Sequence, residues 1–197
     1  MRNLKDIKKL FFDGMLIVII MGLTLAACNN NAQSPEDTKE VAEESNEAKF
    51  DDNEQENDAE FLVDAAEINL EEIELGKLAQ TNGVTADVKD MGKMMVDQHT
   101  KTFNELKDLA ASKNMTIPTS LTEENQDDYK KLADKTGNDF DKEYCDMMVK
   151  GHKDAIDRFE KASNKANDAE IKQWAATTLP ALRTHLEHAE ACRDKVK

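Results

Sequence analysis

The sequence predicts an all-α protein, a four-helix bundle with one long crossover that contains a short helix. Three observations carry this expectation. Apolar residues recur at alternating steps of four and three in four separate stretches, which places them on one face of a helix. Ala, Leu, Met, Lys, Glu and Asp are plentiful, whereas only Trp174, two Tyr and seven Phe are present, a mix that favours helices over strands. The breaks between stretches are short, long and short, as two helical hairpins joined by a crossover require.

The first 27 residues read as a targeting segment. Arg2, Lys5, Lys8 and Lys9 form a basic start, and Met15–Leu25 is an apolar run of the length of a signal-peptide core, too short for an ordinary membrane span. The run ends in Leu25-Ala26-Ala27-Cys28. This resembles the bacterial lipobox, which implies cleavage before Cys28 and a diacylglyceryl group on its thiol. The expected product is an exported, lipid-anchored protein of the cell envelope, tied to a membrane through that anchor. Residues 28–57 are expected to form a disordered, self-repelling linker, because Asn, Ser, Gln and acids dominate and little apolar surface is available to bury.

Residues 58–197 then form the bundle. The first helix is expected from about Asp58, with Phe61, Ala65, Ile68, Glu72, Leu75 and Ala79 on one face and a stop at Asn82-Gly83. The second runs from Thr85 to Lys113 and presents Val88, Met91, Met95, His99, Thr102, Leu106 and Leu109. Ser120-Leu121-Thr122-Glu123 matches a capping box and opens a short helix to about Lys135. The third long helix spans Asp139 to Lys165, with Phe140, Tyr144, Met148, His152, Ala155 and Phe159 inward. Asn167 or Asp168 caps the fourth, which lines Ile171, Trp174 or Ala175, Thr178, Leu182, His185, Ala189 and Cys192 toward the core and contains Pro180, a candidate kink.

The charge balance excludes one class of partner. The formal net charge is −15, with −9 on residues 28–58 and −8 on the remainder of the bundle. No basic stripe exists, so nucleic acid is not an expected partner. The chemistry motifs are equally sparse. No Gly-rich phosphate loop, nucleophile elbow, H-E-x-x-H or C-x-x-C is present, so nothing supports a hydrolase or a nucleotide enzyme.

What remains is polar residues on apolar stripes. Glu72, His99, His152 and His185 occupy inward positions, one per long helix. Glu72 and His99 are equidistant from the turn near Thr85, and His152 and His185 from the turn near Asp168. At 1.5 Å per residue each pair sits roughly 20 Å from its turn, so all four can share one layer at mid-bundle. A buried carboxylate is costly unless paired or ligated, and neutral imidazoles offer nitrogen to a metal. Two readings fit: a divalent transition-metal site with Zn, Cu, Fe or Mn admissible, or a closed Glu–His hydrogen-bond network without metal. Metal affinity should fall as pH drops through about 6.5, the ordinary His value. His188 lies three positions after His185, off the stripe, while Met91, Met94 and Met95 read as core filling. Cys145 and Cys192 obey the same spacing rule one layer away. A disulfide between them, permitted outside the cytoplasm, and two small buried thiols are equally compatible with that placement.

Together Ala65-Ala66, Glu72-Ile73-Glu74-Leu75-Gly76-Lys77-Leu78-Ala79, Met95-Val96-Asp97-Gln98-His99, Phe140-Asp141-Lys142-Glu143-Tyr144, Met148-Val149-Lys150-Gly151-His152 and Leu179-Pro180-Ala181-Leu182-Arg183-Thr184-His185-Leu186 resemble a ferritin-like domain-of-unknown-function family of bacterial envelope proteins, described as outer-membrane proteins. The resemblance covers about residues 58–192. It implies a ferritin-like bundle in the envelope and no known reaction. The family pattern has an acid before the second-helix His, where this chain has Gln98. The repeated Glu and E-x-x-H ligands of di-iron ferritins are absent, so ferroxidase activity is not implied. Metal handling or stress defence, a non-catalytic interaction module, and metal-dependent redox chemistry are the three expected classes of function.

Overall fold

The structure, a computed structural model, describes residues 37–196. The signal segment, Cys28 and the first part of the linker lie outside the described residues. All regular secondary structure among the described residues is helical: α1 (Thr38–Glu47), α2 (Asn53–Asn82), α3 (Ala86–Ser112), α4 (Glu123–Ala133), α5 (Gly137–Lys165) and α6 (Ala169–Lys195). The four long helices form a bundle in which α2 pairs with α3 and α5 with α6, while α4 lies in the crossover. No described helix is long and apolar enough to cross a membrane.

The hairpin ends are fixed by two buried carboxylates. Asp141 at the start of α5 accepts the backbone N–H of Val84 at 2.8 Å and of Thr85 at 2.9 Å, and so holds the α2–α3 turn. Asp58 near the start of α2 accepts from Asn167 at 2.9 Å and Asp168 at 2.6 Å, and so holds the α5–α6 turn. Each hairpin thus carries the acid that satisfies the other's free turn amides. The two contacts set the vertical register of all four helices. Between α2 and α3 the approach is closer than side chains permit. A Cβ on Gly76 would lie 2.8 Å from the Gly92 carbonyl oxygen, and one on Gly92 would lie 2.6 Å from that of Gly76. Only glycine fits this backbone contact.

The apolar stripes form two core clusters. One contains Leu75, Met95, Phe140, Tyr144, Met148 and Ala189, with Leu132 of α4. The other contains Leu62, Leu106, Phe159, Ile171 and Leu182, with Phe61 and Trp174 packed against it. In chain order Asn69, Glu72, His99, His152 and His185 fall between the two clusters, and all five are buried.

Several sequence expectations are corrected. The linker expected over 28–57 is folded in its second half. Asp37 caps α1, Ala42 is buried, and the buried Asn46 side chain exchanges two hydrogen bonds with the backbone of Thr116, at 2.8 and 2.7 Å. Lys39 adds an ion pair to Glu67 at 2.8 Å. The segment is too polar to fold alone, and α2 and the crossover supply its partners. For the same reason α2 begins at Asn53 rather than Asp58. The cap of α4 is Thr122, which accepts from Asn125, and not Ser120 of the capping box. Helix α6 runs unbroken through Pro180.

Candidate metal centre

Three of the four long helices bring an imidazole to one point. One ring nitrogen from each of His99 on α3, His152 on α5 and His185 on α6 lies within 4.8 Å of the others. Their ring centroids are 5.1 to 5.6 Å apart. All three are at most 2% exposed.

The outer nitrogen of each ring faces an oxygen acceptor. Asn69 on α2 donates its amide nitrogen to the Ala65 carbonyl at 2.7 Å, which leaves its oxygen to accept from Nδ1 of His99 at 3.0 Å. Nδ1 of His152 donates to the Met148 carbonyl at 2.8 Å. Nε2 of His185 donates to the Gln98 side-chain oxygen at 2.7 Å. The Met148 carbonyl cannot supply a proton, Asn69 is locked as an acceptor, and Gln98 turns its oxygen to His185, so in this arrangement the remaining nitrogens, Nε2 of His99, Nε2 of His152 and Nδ1 of His185, carry the lone pairs. Those same three atoms are buried without a hydrogen-bond partner. An unmet buried polar atom costs about 1–3 kcal/mol. A single water has two protons and cannot satisfy three convergent acceptors, whereas one cation can.

The electrostatics keep the rings neutral. Burial pushes His152 and His185 down to about 4, with His152 itself disfavouring charge on His185. Burial and the two neighbouring imidazoles push His99 well below its ordinary value. Neutral imidazole is the form that ligates.

Glu72 is placed differently from the sequence expectation. It is buried, but it is not one of the clustered ligands. Its Oε1 lies 3.5 Å from Nδ1 of His152, on the side of the ring that bonds Met148, and its Oε2 has no partner. Burial, with Glu71 beside it, raises its carboxyl well above the usual range. Glu72 therefore backs a candidate ligand and does not join the triad. Tyr144 is also fully buried with an unpartnered hydroxyl. Five of the six buried side-chain atoms without a partner among the described residues belong to Glu72, Tyr144 and the three His, so the orphaned polarity is concentrated in one region.

Other residues stand apart. His188 is exposed, and with Met91, Met94 and Cys192 it lines a separate surface cleft. Asp97 is exposed and pairs with Lys93 at 2.5 Å. Cys145 and Cys192 are buried free thiols within hydrogen-bonding reach of each other, as the spacing places them, and unbridged. Sequence reasoning missed Asn69 as a partner of His99. Its one signal is a polar side chain on the inward face of α2, three residues before Glu72.

The family described as "Domain of unknown function (DUF4142)" matches residues 40–192. The chain belongs to this family. No curated protein and no solved structure matches it. The DUF4142 match reaches back to residue 40, inside α1, in line with a folded unit that begins before α2.

Proposed function

We propose that this DUF4142 protein is an envelope lipoprotein whose ferritin-like bundle binds a divalent transition ion through His99, His152 and His185. The observation that carries the reading is the set of three buried, partnerless ring nitrogens, each made a lone-pair donor by an acceptor on the ring's other side. Three imidazoles leave room for a further ligand on the ion, the arrangement that suits an exchangeable or reactive centre better than a closed structural one. The role is metal handling or stress defence at the membrane, with Cys28 as the anchor. The ferritin-like topology rests on the two hairpins and the long crossover with its short helix.

The test is elemental analysis of protein purified without a His tag, followed by calorimetric titration of the stripped protein with Zn, Cu, Fe and Mn ions. One ion per chain is expected, lost in the His99→Ala variant. If no ion binds more tightly to the native chain than to that variant, the metal reading falls and a non-catalytic interaction module takes its place. The anchor is tested separately. Cys28→Ala should move the protein out of the membrane fraction, and native protein that fractionates as soluble without an acyl mass would remove the lipoprotein reading.

A further inference from the structure

Behind Glu72 the bundle is not closed. A cleft of about 220 Å³ runs inward from the surface between α2, α4 and α5. Seven carboxylates line it against two cations, Lys150 and Arg158. Asp64 is already paired with Arg158 and Lys39, and Glu67 with Lys39. Glu71, Glu72, Glu124, Asp128 and Asp154 complete the acidic lining, Glu124 and Asp154 at the exposed rim and Glu72 buried, beside the apolar Leu75 and Met148.

Two observations single this cleft out from an ordinary acidic surface. The first is Glu72 itself: a carboxyl only 4% exposed, lining the cleft, with Oε2 unpartnered and Oε1 3.5 Å from His152. It lines the cleft and stands beside the outer nitrogen of His152, one member of the triad. The second is Gly151, deep in the interior of the long helix α5, where glycine weakens a helix relative to alanine. Its φ is not positive, so the backbone does not demand glycine. A Cβ there would stand 3.2 Å from Glu72 Oε1, closer than a comfortable contact. The missing side chain keeps the space beside Glu72 open.

We propose that this acidic cleft is the access route by which divalent cations reach the histidine triad, with Glu72 as its innermost carboxylate. The proposal rests on the metal reading of the triad. Carboxylates in a narrow cleft concentrate cations and hasten their arrival, an effect that salt weakens. Glu72 then offers an oxygen beside His152, the first imidazole met from the cleft.

The test is stopped-flow mixing of the full-length metal-free protein with Co(II) ions, read by the visible absorption bands of the bound ion. Replacing two cleft acids that touch no imidazole, Glu71→Gln with Glu124→Gln, should slow binding roughly three- to ten-fold at low salt and leave the final spectrum unchanged. Added salt should shrink the difference. A charge-matched control on the exposed side of α3, Asp90→Asn with Asp108→Asn, should bind at close to the native rate. Gly151→Leu should also slow binding, by filling the space beside Glu72. Should that variant fail to fold, judged by circular dichroism, the Glu71/Glu124 pair decides alone. Native-rate binding by that pair, or equal slowing by the α3 control, overturns the access route and leaves the triad standing. Native protein that develops no Co(II) bands at all removes the triad reading and this proposal with it.

Discussion

The side-chain oxygen of Asn69 lies 3.0 Å from Nδ1 of His99, and the amide nitrogen of the same Asn69 is spent on the Ala65 carbonyl one turn back along its own helix. The asparagine is thereby locked as an acceptor. It fixes the tautomer of a histidine on the neighbouring helix, and with it the nitrogen that faces the other two rings. Asn69→Leu should weaken transition-ion binding about 10- to 100-fold, the usual cost of an outer-shell partner. Asn69→Asp keeps an acceptor and should retain most of the affinity. Competition titration of Zn(II) against a chromophoric chelator measures both.

Loss of a triad member should cost more than loss of its support. His152→Ala and His185→Ala are each expected to abolish the rise in melting temperature that a bound ion gives by mass action. His188→Ala, at an exposed position outside the cluster, should leave it intact. Thermal melts with and without Zn(II) distinguish these outcomes, and an equal loss in His188→Ala would contradict the assignment.

The buried histidines should make the metal-free protein sensitive to acid. The unfolded chain protonates its histidines near 6.5, whereas His152 and His185 in the fold titrate at about 4. Between those values the unfolded state binds more protons. The stability from neutral burial is therefore complete above about pH 6.5 and is lost as pH falls toward 4. Glu72 works in the opposite sense. Its folded value is raised, so its contribution is present below the ordinary carboxyl range and is lost as pH rises through the folded value. Glu71, raised to about 7, acts in the same sense as Glu72. Urea unfolding at a series of pH values should therefore show a steeper fall in stability from pH 7 to 5 in Glu72→Gln than in the native protein, and Glu72→Gln should exceed native stability at pH 8. The same shifts correct the pH dependence expected for metal binding. In the folded protein, protons compete for His152 and His185 near about 4 rather than 6.5, and His99 is lowered as well.

The segment before α2 should matter to stability. Asn46 is 4% exposed and satisfies both the N–H and the C=O of Thr116. Asn46→Ala leaves these groups without their partner and should cost about 1–3 kcal/mol. Differential scanning calorimetry would read this as a fall of several degrees; an unchanged melting point would mean that α1 is not an integral part of the folded unit.

Cys145 and Cys192 should react as two thiols. Alkylation of the unfolded chain without reductant, followed by intact mass, is expected to label both. Native-state alkylation should be far slower, because both sulfurs are buried.

Much of this was legible in the chain. Periodicity alone locates the four long helices to within a few residues, except at the start of α2, since burying a continuous apolar stripe is the same demand in sequence and in space. It also places His99, His152 and His185 on inward faces. The equal spacing of each pair from its turn puts them at one level, because an antiparallel hairpin converts residue number directly into height. The polar start of the folded unit was not legible: α1 has almost no apolar face, and its partners, Thr116, Asp64 and Glu67, are distant in sequence. Nor was the division of labour between Glu72 and the imidazoles. Residue numbers give the height of a side chain and the face it occupies, but not which atom it turns toward its neighbours. That depended on the cross-hairpin caps at Asp58 and Asp141, on the glycine contact that draws α2 against α3, and on Asn69 and Gln98 taking the outer protons of two rings. These are contacts between segments far apart in the chain, with geometry set by packing, and only the tertiary structure decided them.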